Sequence, residues 1–491
     1  MRHKLLLTFI IAITGDLCYG QGNLLLSLNV DECYTCQGNL SNIGLLDSGV
    51  RKEIVLDEVH KQDVNSIRDV FSLDNNLPIA YRSSKDFKNS LIEDNYSSVT
   101  LTNTDNTKFQ RYTLKNDFNP DLVQYINKMS ADEASFDFNS DIFGFGTEPL
   151  VITGNRAYIF SKFSPVIKRA NFITGNVDTF STLPDDAALT AYTRYFKSET
   201  KAKEQMQIVK ALNVKFPREI RKIAPQKDGN VWVGVQYTYF AFLNDNKDTF
   251  QLKFEAYHEF DRTGEVLKTG LVNSIIDKQH EFYYSLLKNK AVDTNFYNTV
   301  LSDMNVMGDT LLISLNKKKY GAGNKGNDDY FLAYYTRNAT GDYNLHHYYD
   351  KSLPGVYKDY NHYFSNSILT ADASYLSLPL VDTIYSIKGN TQPIALGVFK
   401  EKQFTGSPLN YSYTVQQIES GPTTLSVMYY DNISKQVKVV RYDIQKKATD
   451  AVYSVSDPAI MRAKFIQLDS FDPYYLWYLS GNSQLTRTRL K

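Results

Sequence analysis

From residue 150 to the C-terminal end, a strand–turn–strand pattern recurs, and few folds accommodate it. Each copy alternates apolar and polar residues on both sides of a short turn that contains Gly, Asp, Asn or Pro. A period of two is typical of strands with one buried face, and these turn residues supply the backbone angles of tight hairpins. Six copies can be read, at residues 150–160, 223–235, 304–315, 368–378, 415–429 and 465–478.

Most copies are followed by a second hairpin, so each unit predicts a four-stranded sheet of about 50 to 75 residues. The six units resemble the blades of a six-bladed β-propeller, although no Trp-Asp or kelch signature is present. The resemblance implies a mainly β fold, and the alternative for the same strands is a large β-sandwich or two smaller barrels. The second turns lie at Gly175-Asn176, Arg262-Thr263-Gly264, Thr340-Gly341-Asp342 and Gly389-Asn390.

The last unit is one strand short, because it shows strands only near residues 463–468, 474–479 and 483–490. The segment 134–142, just ahead of the first unit, has the character of a strand. In a ring of sheets, such a segment can complete the last sheet and remove exposed edges. The sequence therefore predicts that residues 134–142 form the outer strand of the last blade.

The front of the chain, up to residue 131, alternates strands with helices. This order resembles a thioredoxin-like domain over about 110 residues. The elements are a strand at 24–30, Cys33-x-x-Cys36, a helix at 37–46, a strand at 53–59, a helix at 63–71, a strand at 77–81, a helix capped by Ser84, a hairpin of 98–102 with 108–114, and a helix near 122–129.

The resemblance implies roles for the two cysteines: Cys33 would be the attacking thiolate, and Cys36 would resolve the mixed disulfide. Two features depart from the family. Asp31 and Glu32 replace the aromatic residue before Cys33, and these carboxylates would raise the Cys33 pKa. Residues 96–99 contain no proline, where the family has a cis-proline that helps receive partner chains. Two interpretations follow: a degenerate structural or partner-binding domain, or a thiol–disulfide oxidoreductase whose propeller recruits clients.

The first twenty residues read as a signal peptide, with Arg2 and Lys4 before an apolar run at 5–13 and small Gly20 at a plausible cleavage point. The prediction is an exported protein, either periplasmic or at the cell surface or outside the cell. Lipid anchoring at Cys18 stays open, since the residues before it resemble a lipoprotein cleavage box poorly. The predicted division is a signal peptide at 1–20, a thioredoxin-like domain at 21–131 and a propeller at 132–491.

Charge and motifs argue against several classes of function. Lys plus Arg and Asp plus Glu both number 54, so no net field favours nucleic acid, and no later apolar run is long enough for a transmembrane helix. His346, His347 and His362 lack carboxylates at ligand spacing, so no metal or cofactor is predicted. Residues 317–319 lack the order of a phosphate loop and predict a solvated turn, and no Gly-x-Ser-x-Gly elbow marks a hydrolase.

The long insertions predict where a ligand binds. Strand direction alternates within a blade, so the links between blades and the connections between second and third strands lie on one face. Helical stretches at 199–212 and 275–287, a glycine-rich loop at 317–327 and a tyrosine-rich link at 346–363 fall there. Long loops on a rigid scaffold favour recognition, so the sequence predicts a protein or glycan ligand on this face. A glycan-processing enzyme would also need carboxylates clustered at the central channel.

Overall fold

The chain folds as two compact units in a computed structural model. One unit comprises Met1–Ser135 with Arg487–Arg489, and the other Phe136–Thr486 with Leu490–Lys491. No helix in the described ranges combines the length and apolar character needed to cross a membrane. The structure describes residues 23–32, 36–92, 95–140, 150–199, 206–209, 217–226, 228–243, 249–272, 297–319, 329–349, 366–370, 373–378, 381–388, 394–398, 413–431, 434–455, 457–463 and 465–491.

The first unit is built on a five-stranded mixed sheet with the order β3-β2-β1-β4-β5. The first three strands are parallel, β4 runs antiparallel to β1, and β5 runs antiparallel to β4. Each strand lies within a few residues of its predicted position, because each is an apolar run bounded by turn residues. The strands are β1 (Asn23–Ser27), β2 (Arg51–Asp57), β3 (Ile79–Arg82), β4 (Ser98–Thr102) and β5 (Phe109–Thr113).

Four helices accompany this sheet. The longest, α4, begins with Pro120 after the N-cap Asn119, whose side chain accepts the Leu122 N–H. The predicted cap of α3 is wrong by one residue: Ser83 Oγ accepts the Asp86 N–H, whereas Ser84 Oγ donates to Asp57. The helices are α1 (Gln37–Leu40), which continues as a 3₁₀ turn over Ser41–Leu45, α2 (Val64–Phe71), α3 (Ser84–Lys88) and α4 (Pro120–Ser130).

The second unit forms six antiparallel sheets, the blades of a six-bladed β-propeller. The blades are numbered one to six in chain order. Blade one contains β7 (Leu150–Thr153), β8 (Arg156–Phe160), β9 (Val166–Asn171) and β10 (Val177–Thr182), and blade two contains β11 (Met206–Val209), β12 (Arg218–Pro225), β13 (Val231–Leu243), β14 (Thr249–Phe260) and β15 (Val266–Leu271). Blade three contains β16 (Tyr297–Met307), β17 (Thr310–Lys319), β18 (Asp329–Arg337) and β19 (Tyr343–Tyr349), and blade four contains β20 (Asn366–Leu369), β21 (Ser374–Leu378), β22 (Val381–Ile387) and β23 (Ile394–Leu396). Blade five contains β24 (Tyr413–Ser420), β25 (Thr424–Asp431), β26 (Gln436–Asp443) and β27 (Ala448–Val455), and blade six contains β28 (Ile466–Leu468), β29 (Tyr475–Gly481) and β30 (Gln484–Arg489), joined by β6 (Glu133–Asp137).

The innermost strands surround a common axis. Strand β12 contacts β7 and β16, β20 contacts β16 and β24, and β24 contacts β28. Ser470, two residues beyond β28, donates to the Ile152 carbonyl of β7 at 3.2 Å and so connects blades six and one. The β-sandwich and two-barrel alternatives are therefore wrong. In the described part of the chain, two further helices lie in links between blades, α5 (Asp185–Glu199) and α6 (Pro458–Arg462).

Successive blades pack through apolar side chains on both sheet faces. On β13, Val231, Val233 and Val235 belong to a core cluster shared with blade one. Trp232, the residue between two of these valines, packs with Met304 of blade three. Because alternate residues point to opposite faces, a single strand fills the core on both sides of its blade.

Strand β6 completes the last blade, whose order is β28-β29-β30-β6. The Phe138 N–H donates to the Ser483 carbonyl at 2.9 Å, directly beyond the strand. The Phe136 ring lies 5.3 Å from Trp477 in blade six and 5.2 Å from Phe172 beside blade one. The predicted closure is confirmed, although residues 141–142 of the predicted strand lie outside the described ranges.

Glycines in the outer hairpin turns of three blades each contact the preceding blade, and we call this contact a glycine lock. Gly175, Gly264 and Gly341 occupy these turns in blades one, two and three, with φ values of +70°, +97° and +93°. Only glycine adopts such angles without strain. In each case the carbonyl oxygen accepts a hydrogen bond from the preceding blade. The donors are the Asn139 N–H at 2.9 Å, Ser181 Oγ at 2.8 Å and Tyr257 Oη.

The helix predicted at residues 199–212 is wrong. The helix of this link is α5, which ends at Glu199, and Met206–Val209 forms strand β11. Strand β13 runs beyond the end of β12, and β11 pairs with this extension from Phe240 to Leu243. Residues 206–209 therefore form a strand that pairs with the extension of β13, although the local spacing of apolar residues favours a helix.

Two predicted loops are also strands. Lys317–Lys319 end β17 rather than forming a solvated turn, and their partners on β16 are Tyr297, Asn298 and Thr299. His346 and His347 lie on β19 in blade three, not in the link that follows. Residues 275–287 and His362, also predicted to lie in links, are outside the described residues.

Candidate functional site

The cysteine motif follows the central strand β1 in the chain, and Cys36 comes nine residues after Ser27, the last residue of that strand. Cys36 precedes α1, is fully buried and is disulfide-bonded. Cys33 lies outside the described residues, so its proposed role as the attacking thiolate stays a prediction. Asp31 is exposed and Glu32 is half-buried.

Glu32 forms a hydrogen bond to residues 96–99, the segment in which thioredoxin-like domains have a proline. Its Oε2 accepts the Ser97 N–H at 3.3 Å. Asn29 holds the same segment, since its N–H donates to Ser97 Oγ at 2.9 Å and its amide donates to the Asn95 carbonyl at 2.7 Å. Any chain that approached the Ser97 N–H would have to displace a carboxylate of this protein. This geometry argues against a ready site for client chains.

A second candidate is a cluster of charged side chains in the propeller. It lies on the link face, which carries the links between blades and the connections between second and third strands. Lys162 of the β8–β9 connection and Arg221 of β12 both pair with Glu219, Arg221 at 2.8 Å. Arg218 pairs with Asp185, the first residue of α5. These five residues, here called the link-face cluster, come from three elements far apart in sequence.

Main-chain bonds fix the elements that carry this cluster. The Ile220 N–H donates to the Lys162 carbonyl at 2.7 Å, and the Leu183 N–H donates to the Pro165 carbonyl at 2.8 Å. These bonds join the β8–β9 connection to both ends of the link between blades one and two. The charged side chains therefore project from a rigid base.

The cluster continues inward as a polar row. Arg221 donates to Gln236 Oε1 at 2.8 Å, and Gln236 Nε2 donates to Glu255 Oε1 at 2.7 Å. Glu255 is fully buried. A buried carboxylate needs such donors to offset its lost hydration, so the row is a fixed part of the scaffold.

A neutral histidine lies on the other face of the same blade. His258 Nε2 is 2.8 Å from Tyr237 Oη, and Nδ1 is 3.0 Å from Thr269 Oγ1. Burial lowers the pKa of His258 to about 3, so the imidazole is neutral at pH 7. Burial, and then the charge of Asp185, raise the pKa of Tyr237. Both side chains are polar members of an otherwise apolar core and offer no acid–base group at pH 7.

The link-face cluster holds charges of both signs at fixed, partly exposed positions, and each of its members takes part in an ion pair. Within the described ranges, no group of His, Cys, Asp and Glu could hold a metal ion. Sequence reasoning predicted the face but not these residues, since no local motif joins positions 162, 185 and 219. The only local signal is the density of charge in residues 218–222.

Comparisons with known proteins give remote structural similarity only. No protein-family model and no curated protein matches the chain. A Bacteroides fragilis protein proposed to be exported is 11% identical, covers 73% of this chain and 95% of its own, and has a TM-score of 0.34. A member of the DUF4221 family from Bacteroides vulgatus is 8% identical over 74% and 96%, with a TM-score of 0.33. A proposed 6-phosphogluconolactonase from Bacteroides uniformis is 12% identical over 71% and 75%, with a TM-score of 0.31. Similarity at this level supports no statement about activity, ligand or location.

Proposed function

We propose that this chain is an exported binding protein that holds a partner on the link face of its propeller. The link-face cluster carries the proposal, because five charged side chains meet there beside Phe163, which is 36% exposed. An exposed aromatic ring next to fixed charges is a common composition for a recognition surface. A protein or glycan ligand with polar groups of both signs fits it. The signal-like N-terminus supports export.

Site-specific cross-linking tests this proposal. A photoreactive amino acid in place of Phe163 is expected to capture a discrete partner in the producing cells. The same group in place of Leu267, which is 55% exposed on β15, is the control and is expected to capture none.

A charge reversal then tests the cluster itself. Lys162→Glu places two carboxylates together at Glu219 and should lower the cross-linking yield at least about tenfold. The Lys162 side chain is 50% exposed, and a pair this exposed contributes no more than about 1 kcal/mol to folding. Equal capture from positions 163 and 267, or an unchanged yield with Lys162→Glu, would exclude the link face as the binding surface.

We further propose that the first unit is a degenerate thioredoxin-like domain. The cysteine motif after a central parallel strand, with two antiparallel strands beyond it, supports this assignment. The buried sulfur of Cys36 and the engagement of the Ser97 N–H by Glu32 argue against efficient exchange with client proteins. The disulfide observed at Cys36 keeps a thiol–disulfide oxidoreductase as the second candidate.

Two measurements decide between these candidates. Alkylation before and after a mild reductant, followed by mass measurement, reports whether Cys33 and Cys36 cycle between thiol and disulfide. In an insulin-reduction assay, we expect the wild type and Cys33→Ser to be equally inactive. Turnover by the wild type that Cys33→Ser abolishes would establish the oxidoreductase instead.

A further inference from the structure

Within the described ranges, β5 is the last strand of its sheet and pairs only with β4, so its outer edge is open at Phe109 and Arg111. At Thr113 the same edge is occupied, because Asp117 Oδ2 accepts the Thr113 N–H at 2.7 Å. The Leu114 N–H donates to the Ser97 carbonyl, and the Asn103 N–H donates to the Lys108 carbonyl. These bonds set the alternation of the ladder, so the N–H and C=O groups of Phe109 and Arg111 point away from β4.

The side chains along this edge are sorted by face. On one face, Gln110 accepts hydrogen bonds from Tyr112 at 2.7 Å and from Tyr125 of α4 at 3.0 Å. Phe109 and Arg111 lie on the opposite face. Phe109 is 58% exposed, Arg111 is also exposed, and the guanidinium lies 4.7 Å from the ring centroid.

A second arginine lies on that face. The registers place Arg82 of β3 on the same side of the sheet as Arg111. Burial, and then the like charge of Arg82, lower the pKa of Arg111. Among the described residues, neither arginine takes part in an ion pair or a side-chain hydrogen bond. Glu53 is on the same face but pairs with neither. Arg82 lies on β3 at the opposite edge of the sheet, and Asp57 of β2 is its register partner on the same face. Arg111 is therefore the arginine that lies at the β5 edge without an ion pair among the described residues.

We propose that the β5 edge binds an extended acidic segment of a partner protein, which adds a sixth strand to the sheet. Main-chain groups of Phe109 and Arg111 would pair with the segment, as in other cases of strand addition. Side chains two residues apart share a face of a strand. The segment should therefore carry a carboxylate for Arg111 and, two residues away, an apolar side chain for Phe109.

The charge of the edge favours an acidic partner over a second copy of this chain. Residues 108–115 contain Lys108, Arg111 and Lys115 and no carboxylate. Pairing this strand with itself would bring like charges together across the new ladder, which is destabilising. A segment with a carboxylate supplies a counter-charge for Arg111. This proposal is independent of the link face, since the edge belongs to the first unit.

A defined peptide tests the proposal on the full chain. The probe is a fluorescein-labelled Thr-Val-Glu-Val-Phe-Val-Thr peptide, and anisotropy reports its binding. We expect a Kd in the range of about 1 to 100 μM that weakens with added salt. A peptide with Lys in place of Glu should bind at least about tenfold more weakly, and so should one that is N-methylated at Glu, the central Val and Phe, because it cannot donate to the edge in either strand direction.

Variants locate the site. Arg111→Glu should weaken binding at least about tenfold, and Phe109→Ser should do so several-fold. Matched controls are Lys61→Glu, an exposed reversal elsewhere on the first unit, and Val59→Ser, an exposed apolar residue at 64%. Neither control should change the Kd.

Three outcomes would overturn the proposal. The first is no binding of the glutamate peptide at about 1 mM, or binding that Arg111→Glu leaves unchanged. The second is a dimeric wild type that Arg111→Glu converts to a monomer in sedimentation, because the edge would then pair with a second copy. The third is aggregation of Arg111→Glu without peptide binding by the wild type, because the charges would then serve only to protect the edge.

Discussion

Gly264→Ala is expected to destabilise the propeller by about 3 kcal/mol or more, a large effect for a single methyl group. Gly264 has a φ of +97°, which strains any residue with a Cβ atom. The added Cβ would also overlap the Phe180 carbonyl oxygen in the preceding blade. Because that oxygen belongs to the main chain of β10, it moves only if the strand moves. The lock between blades one and two should therefore open.

Two other glycines separate backbone strain from this overlap. Gly308 has a φ of +56°, and a Cβ there meets nothing within 4 Å, so Gly308→Ala should cost only about 1 kcal/mol. At Gly341 the Cβ would meet the far end of the Lys268 side chain, which can move aside. We expect the loss of stability to follow the order Gly264, Gly341, Gly308.

Urea unfolding followed by tryptophan fluorescence measures this series. Trp232 and Trp477 are the two tryptophans of the chain, and both are buried in the second unit. Their emission therefore reports the propeller and not the first unit. A Gly264→Ala midpoint as high as that of Gly308→Ala would show that the turn does not lock the blades.

Local sequence chemistry was sufficient to predict the outer hairpin turns of blades one to three, at Gly175, Gly264 and Gly341. The turn predicted at Gly389-Asn390 lies outside the described residues. The outer turns have the same hydrogen-bond arrangement: an Asn or Asp begins the turn, and its Oδ1 accepts main-chain N–H groups a few residues later. Asp261 Oδ1 accepts from Thr263, Gly264 and Glu265. Such turns need only neighbouring residues, so they can be predicted from sequence. Asn171, Asn338 and Asp443 repeat the arrangement, with N–H donors that include Ile173, Asp342 and Gln445.

Features that depend on distant partners could not be predicted in the same way. Strand β11 forms because β13 extends to Leu243, and nothing within residues 199–212 indicates that extension. The link-face cluster requires Lys162, Asp185 and Glu219 to meet, which depends on the relative placement of two blades and their link. The ion pairs therefore became apparent only from the structure. The predicted face, in contrast, needed only the alternation of strand direction.

Closure of the ring by β6 was predictable because counting strands requires no knowledge of side-chain contacts. The stability that this closure adds to the propeller, however, depends on side-chain packing. Phe136 is buried against Trp477 and Phe172, and those two rings stack on each other at 4.9 Å. Three aromatic rings from the closing strand, the last blade and the first blade therefore form one contact. We infer that this contact holds the two ends of the blade array together.

Phe136→Ala is expected to destabilise the second unit by about 3 to 5 kcal/mol, the usual range for a buried Phe truncated to Ala. The matched control is Phe163→Ala, which removes the same atoms from a ring that is 36% exposed and should cost less, about 1 to 2 kcal/mol. Urea unfolding by tryptophan fluorescence gives both values.

Hydrogen exchange distinguishes loss of closure from a general loss of packing. If β6 closes the ring, Phe136→Ala should accelerate amide exchange first in β30 and β7, which belong to the joined blades. Strand β17 of blade three, on the far side of the ring, should keep its protection until global unfolding. Uniform acceleration in all blades would mean that Phe136 contributes to the core without closing the ring. The hydrogen bonds from Ser470 to Ile152 and from Asn139 to Gly175 also join the last and first blades. Phe136 supplies the apolar part of this joint, and its removal tests how far the joint makes six sheets behave as a ring rather than as an open array.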